Sequence, residues 1–94
     1  MLRTSRPAQA PEPFPPLVAT LRFALPSATE CVVSVCDTQG TVVRVLMTGV
    51  LARGEHACAW DGHDDVGGRV RAGQYTLCLE VAGRELTSRR VMIG

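Results

Sequence analysis

The sequence predicts an all-β fold: an antiparallel sandwich of about seven short strands behind an extended, proline-rich N-terminal arm. Three observations carry that expectation. From Val18 to Ile93 apolar and polar residues alternate with period two in short runs, and no longer stretch keeps a helical stripe. The runs are divided by turn signals at intervals of about 8–12 residues, and all nine glycines lie at Gly40 or beyond. Five of the six prolines, in contrast, fall within the first sixteen residues. The chain therefore divides into an arm, residues 1–17, and a folded domain, residues 18–94.

Each strand has a local reason. In Val18–Leu25, Leu21, Phe23 and Leu25 share one face while Thr20 and Arg22 take the other. Pro26 ends this run because it has no N–H to give to a ladder. Cys31–Cys36 follows, with Cys31, Val33 and Val35 expected inward and Cys36 outward. Asp37-Thr38-Gln39-Gly40 reads as a type I turn, with Asp first and Gly fourth, so the β-branched run Thr41–Met47 closes a hairpin. Gly49–Gly54 reads as a connector. Glu55–Trp60 places His56, Cys58 and Trp60 on one face. Asp61–Gly68 is a long turn rich in aspartate and glycine, in which a positive φ is expected. Arg69-Val70-Arg71 forms a short bridge toward Gly73. Tyr75–Val81 then aligns Tyr75, Leu77 and Leu79, and after a turn at Gly83 the run Glu85–Ile93 returns. Phe23, Trp60 and Tyr75 are the expected aromatic core, with Trp60 at its centre.

Composition excludes several function classes. A chain of 94 residues and 10.1 kDa is one small domain, and a net charge of +1 argues against a nucleic-acid reader. No apolar run approaches the roughly 18 residues of a membrane span. Prolines follow Arg3 and Arg6 where the apolar core of a secretory signal would stand. The expected location is therefore cytoplasmic, with peripheral contact at the cytoplasmic face of the inner membrane as a variant. In that reducing compartment Cys31, Cys36, Cys58 and Cys78 read as thiols, and no CxxC pair suggests otherwise.

Candidate chemistry is weighed residue by residue. Asp61, Asp64 and Asp65 offer oxygen ligands for calcium, but the EF-hand spacing and its closing glutamate are missing, and aspartate is the usual cap of a tight turn. His56, Cys58 and His63 offer zinc ligands without an evident fourth. Ser34, Cys36 or Cys78 would need His56 or His63 as a base, and no nucleophile elbow, P-loop or dinucleotide fingerprint is present. The expectation is a protein that is not an enzyme and holds neither metal nor cofactor. Antibody-type domains place a Trp against a paired disulfide, but the outward Cys36 argues against such a bridge to Cys78. The arm is the expected partner-binding element, with Phe14 as an apolar anchor among Pro13, Pro15 and Pro16, and Arg3 and Arg6 ahead of it.

The order LRFALP, VSVCDTQGTVVRVL and AWDGHDDVGGRVRAGQYTL resembles the immunoglobulin-like domain of the flagellar hook-capping protein. Trp60-Asp61-Gly62, Gly67, Gly73 and Tyr75 carry the resemblance, which spans about residues 18–94; Cys36 departs from it by replacing the aromatic residue before Asp37. The resemblance implies an immunoglobulin-like or fibronectin III-like sandwich in which Leu21, Phe23, Val33, Val35, Trp60 and Tyr75 pack the core and Asp61, Gly62 and Gly73 shape turns.

Two functional expectations follow. The first is a non-catalytic accessory subunit that stabilises or bridges a larger assembly through its arm and a sandwich edge. Its host would be a cytoplasmic-side membrane complex, such as a photosynthetic, secretion or motility machine, and its partners other protein subunits. The second, which the resemblance implies, is a hook-cap-like assembly scaffold or exported adhesion module. A third class, a metal-regulated or catalytic domain, would use Asp61, His63 and Asp64.

Overall fold

A computed structural model describes residues 17–94. It contains six strands: β1 (Ala19–Leu25), β2 (Thr29–Cys36), β3 (Val42–Leu51), β4 (Gly54–Trp60), β5 (Gly73–Val81) and β6 (Arg84–Ile93). They form two antiparallel sheets, a two-stranded β1–β4 pair and a four-stranded sheet in the order β3–β2–β5–β6. β1 lies alongside β6, and β4 alongside β3, so the small sheet covers the inner face of the large one.

The count is six rather than about seven. The segment 69–71 contributes only an isolated bridge between His63 and Arg69, because glycines on both sides of the loop leave too few consecutive extended residues for a strand. The connector also differs. β3 continues through Gly49, opposite Cys31, to Leu51, opposite Thr29. Gly49 is kept in the strand by a φ of 135°, a conformation that side-chain-bearing residues rarely adopt. The connector shrinks to Ala52 and Arg53, where the chain crosses from the large sheet to the small one.

Alternation decides which side chains meet. Ala19, Leu21 and Leu25 of β1 and Trp60 of β4 face Cys31, Val33 and Val35 of β2 and Tyr75, Leu77 and Leu79 of β5, and all are buried. Phe23 is an exception among the aromatics: it packs against the core but is only half-buried, and it stacks on His56 with ring centroids 5.6 Å apart. The β2–β3 hairpin closes through the expected turn. The Gly40 N–H donates to the Asp37 carbonyl at 3.1 Å, and Asp37 Oδ1 accepts from the N–H groups of Gln39 and Thr41, both at 2.9 Å.

Trp60 sits at the centre with 0% of its surface exposed, and its ring lies 5.5 Å from that of Tyr75, tilted by 59°. A buried indole removes roughly 150–250 Å² of surface from water, and Trp60 is the largest of the fully buried side chains. Trp60→Ala should cost about 3–5 kcal/mol, most of the net stability of a domain this size. Thermal unfolding followed by circular dichroism checks this; a Trp60→Ala protein that melts within a few degrees of the parent contradicts it.

Candidate functional site

Two surface regions carry the chemistry-bearing residues. The first is the Asp61–Gly68 loop, which begins where β4 ends. Asp64 organises its tip: Oδ1 accepts from the N–H groups of Val66 at 3.1 Å and Gly68 at 2.8 Å, while the Asp64 N–H donates to the Gly68 carbonyl at 2.8 Å. Asp61 Oδ1 accepts the His63 N–H at 3.0 Å. Gly62 turns the chain with a φ of 82°, and a Cβ there would stand 3.7 Å from Val18, so conformation rather than crowding calls for glycine.

Arg44 enters this loop from β3. Its Nη1 donates to the His63 carbonyl at 3.0 Å and pairs with Asp61 Oδ1 at 3.3 Å, and its Nε lies 3.8 Å from Asp65 Oδ1. Trp60 Nε1–H donates to the same His63 carbonyl at 2.9 Å. Asp65 then locks the loop to the outer edge of β3: its N–H donates to the Val43 carbonyl, and its Oδ1 accepts the Val45 N–H, both at 3.0 Å. Each of the three aspartates thus spends one oxygen, Oδ1, on backbone N–H groups, and those of Asp61 and Asp65 also face one guanidinium. An open cleft of about 480 Å³ is lined by Arg44, Asp61, His63, Asp64, Asp65 and Gly67, but its carboxylates are committed to holding the loop.

Burial raises the Asp61 pKa, but the His63 N–H and the Arg44 charge outweigh it, and the carboxyl is held below its ordinary value of 3.8. A carboxyl whose pKa falls on folding adds stability above its unfolded pKa and loses it as pH drops through the lower folded value. Stability should therefore decline as pH falls from about 5 toward 2, and Asp61→Asn should flatten that decline. Urea titrations across this range check it; an unchanged profile in Asp61→Asn contradicts it.

The second region surrounds Phe23. One open cleft of about 570 Å³ is lined by Arg22, Phe23 and Ala24 of β1 with Glu55, His56 and Ala57 of β4. Another, of about 300 Å³, lies on the opposite side of the same β1 residues and is lined by Leu79, Leu86 and Thr87. His56 Nε2 is 2.7 Å from the Ala52 carbonyl, which fixes the ring over Phe23.

The structure separates most of the sequence-derived combinations. His56 lies at the start of β4 against Phe23, Cys58 faces inward, and His63 belongs to the Arg44 loop, its Nδ1 3.2 Å from the Asp61 carbonyl. Among the described residues no three His, Cys, Asp or Glu side chains converge as a metal site. Ser34 is buried on β2. Cys36 and Cys78 occupy neighbouring strands of one sheet, at diagonal positions across the Ser34–Cys78 and Cys36–Thr76 pairs, and all four cysteines are free. Burial, with Cys36 and Glu85 nearby, pushes the Cys78 thiol up to about 11, the wrong direction for a nucleophile. Burial also raises Cys58, with Cys31 adding to it. At pH 8 Cys78 should react with a disulfide reagent roughly a hundredfold more slowly in the folded chain than in urea, in proportion to its thiolate fraction. Equal rates would contradict its placement.

Leu21, Val33, Val35, Trp60 and Tyr75 lie in the core; Asp61 and Gly62 open the loop, and Gly73 begins β5. Arg3, Arg6, Pro13, Phe14, Pro15 and Pro16 lie outside the described residues. Sequence reasoning passed over Arg44 and Arg89. The available signal was a lone arginine inside an otherwise apolar strand pattern, Val42-Val43-Arg44-Val45-Leu46, which implies a carboxylate or carbonyl partner.

Comparison with known proteins places this geometry. The model of the FlgD Ig-like domain matches residues 18–84. Among solved structures, the crystal structure of FlgD from P. aeruginosa is similar with a TM-score of 0.59 and 27% sequence identity. The match covers 76% of this chain but 57% of that one, so the chain corresponds to little more than half of the FlgD structure. No curated protein sequence matches. The family match spans most of the chain, from the start of β1 through the Arg44 loop to the start of β6, and the chain belongs to the FlgD Ig-like domain family.

Proposed function

We propose that the chain is a non-catalytic structural module that works by protein–protein assembly, as part of a hook-cap-like scaffold of the flagellar type. The observation that supports this most directly is family membership across residues 18–84. The site chemistry agrees with it. The loop aspartates are consumed in turn formation, the Cys78 thiol is raised rather than activated, and the clefts around Phe23 are open surfaces suited to contact with another chain.

Such a module offers a preformed, stiff surface and leaves specificity to its edges. A two-stranded sheet on a four-stranded one exposes more edge per residue than a closed barrel, and unpaired edge backbone is a ready site for another chain. A second reading, an accessory subunit on the cytoplasmic side of a membrane complex, is favoured by four free thiols, which suit a reducing compartment. The arm would serve either role as a tether.

Affinity isolation of the tagged full chain from its native cells, after mild cross-linking, separates the readings. Recovery of hook or hook-cap subunits is the expected result. Recovery of an inner-membrane complex without flagellar proteins would overturn the scaffold reading in favour of the accessory subunit.

A further inference from the structure

The four thiols fall into two pairs of different kinds. Cys31 of β2 and Cys58 of β4 face the core, and Cys31 is only 2% exposed. Cys36 of β2 and Cys78 of β5 stand on the other face of the large sheet. Val33, Val35, Leu77 and Leu79 point inward, and side chains alternate along a strand, so residues 34, 36, 76 and 78 point outward. Cys36 and Cys78 are both part-exposed, and a small solute reaches them without opening the sandwich.

The β2–β5 register sets the separation of the outer pair. Ser34 lies opposite Cys78 and Cys36 opposite Thr76, so the two cysteines are diagonal neighbours. Such positions are about 7–8 Å apart, with the Cβ atoms somewhat closer. A disulfide needs Cβ atoms about 3.5–4.5 Å apart and is out of reach there without backbone movement. The side chains still meet. The Cys78 thiol has Cys36 on one side and Glu85 of β6 on the other, both within side-chain hydrogen-bonding reach.

That gap fits a bridging ion. A soft cation held in line between two thiolates spans about 4–5 Å from sulfur to sulfur, twice a metal–thiolate bond of about 2.3 Å. Zinc is a poor occupant, because it takes four ligands. Among the described residues no group of three His, Cys, Asp or Glu converges here. Cuprous copper is soft, prefers thiolates and is satisfied by two of them.

We propose that Cys36 and Cys78 bind one cuprous ion between their sulfurs, on the outer face of the large sheet. Binding exchanges two S–H bonds for two S–Cu bonds and releases two protons, with no change in oxidation state. Glu85, beside Cys78, is placed to take the proton that leaves that sulfur. Ser34 and Thr76, both short side chains, occupy the other two corners of the patch. The core pair does not compete, because Cys31 is closed to solvent. This site departs from the metal-free expectation because its two donors, far apart in the chain, come together only through the strand register. It is independent of the flagellar reading, since it concerns this chain's own thiols.

The test uses the full chain under reducing, oxygen-free conditions, with cuprous ion supplied as its coloured complex with a bathocuproine chelator. Wild type should withdraw one equivalent per chain and stay monomeric in sedimentation. Cys36→Ser and Cys78→Ser should each weaken binding by more than roughly a hundredfold, whereas Cys58→Ser should leave it unchanged. X-ray absorption at the copper edge should show two sulfur neighbours. Circular dichroism confirms that each variant keeps its fold. A wild-type chain that withdraws no copper would overturn the proposal. So would equal losses in Cys36→Ser and Cys58→Ser, a copper-linked dimer, or a urea-unfolded chain that binds as tightly as the folded one.

Discussion

The domain depends on one side chain that works at two levels. Trp60 fills the space between the sheets, and its indole N–H reaches the His63 carbonyl just outside the core. A buried indole with an unpaired N–H would forfeit part of what its burial gains. Once that donor is satisfied, the same carbonyl also takes Arg44, and Arg44 draws in Asp61. Core packing and loop conformation are therefore coupled through a single acceptor. Tyr75 repeats the pattern on a smaller scale: its ring packs against Trp60 while its hydroxyl donates to the Arg71 carbonyl at 2.8 Å, pinning the chain that leads into β5.

That coupling explains how so small a domain keeps an irregular loop in one conformation. The backbone N–H groups from His63 to Gly68 each have a partner within the loop or at the edge of β3, and Arg44 takes the His63 carbonyl and Asp61. The same bonds cover part of an edge that would otherwise invite pairing. They also explain why the aspartates are poor candidates for a cation site despite their density. Beside β1 the Arg89 guanidinium bonds the Thr20 carbonyl, and an open cleft lies next to Arg22, Phe23 and Ala24.

Most strand positions were legible because burial on one face of a sheet writes a period-two signal directly into the residues. β2 and β5 show it clearly, with Val33, Val35, Leu77 and Leu79 inward. β3 was cut short at Met47 because Gly49 looks like a break, whereas here it is a strand residue whose φ permits the bend. Pairing β1 with β4 and placing β6 beside β1 involve residues far apart in the chain, and no local pattern encodes them. The role of Arg44 was hidden for the same reason, since its partners lie seventeen or more residues away. Phe23 was read as core and proves half-buried, because alternation gives the face of a strand but not where the sandwich ends. The arm candidates lie outside the described residues.

The coupling of core to loop is tested most directly by Trp60→Phe, which keeps an aromatic ring in the core and deletes the donor to His63. Amide hydrogen exchange should show protection lost at Asp64, Gly68 and Val70, whose N–H groups are bonded within or across the loop, while Val33 and Leu77 remain protected. Loop amides that keep their protection in Trp60→Phe would contradict the account.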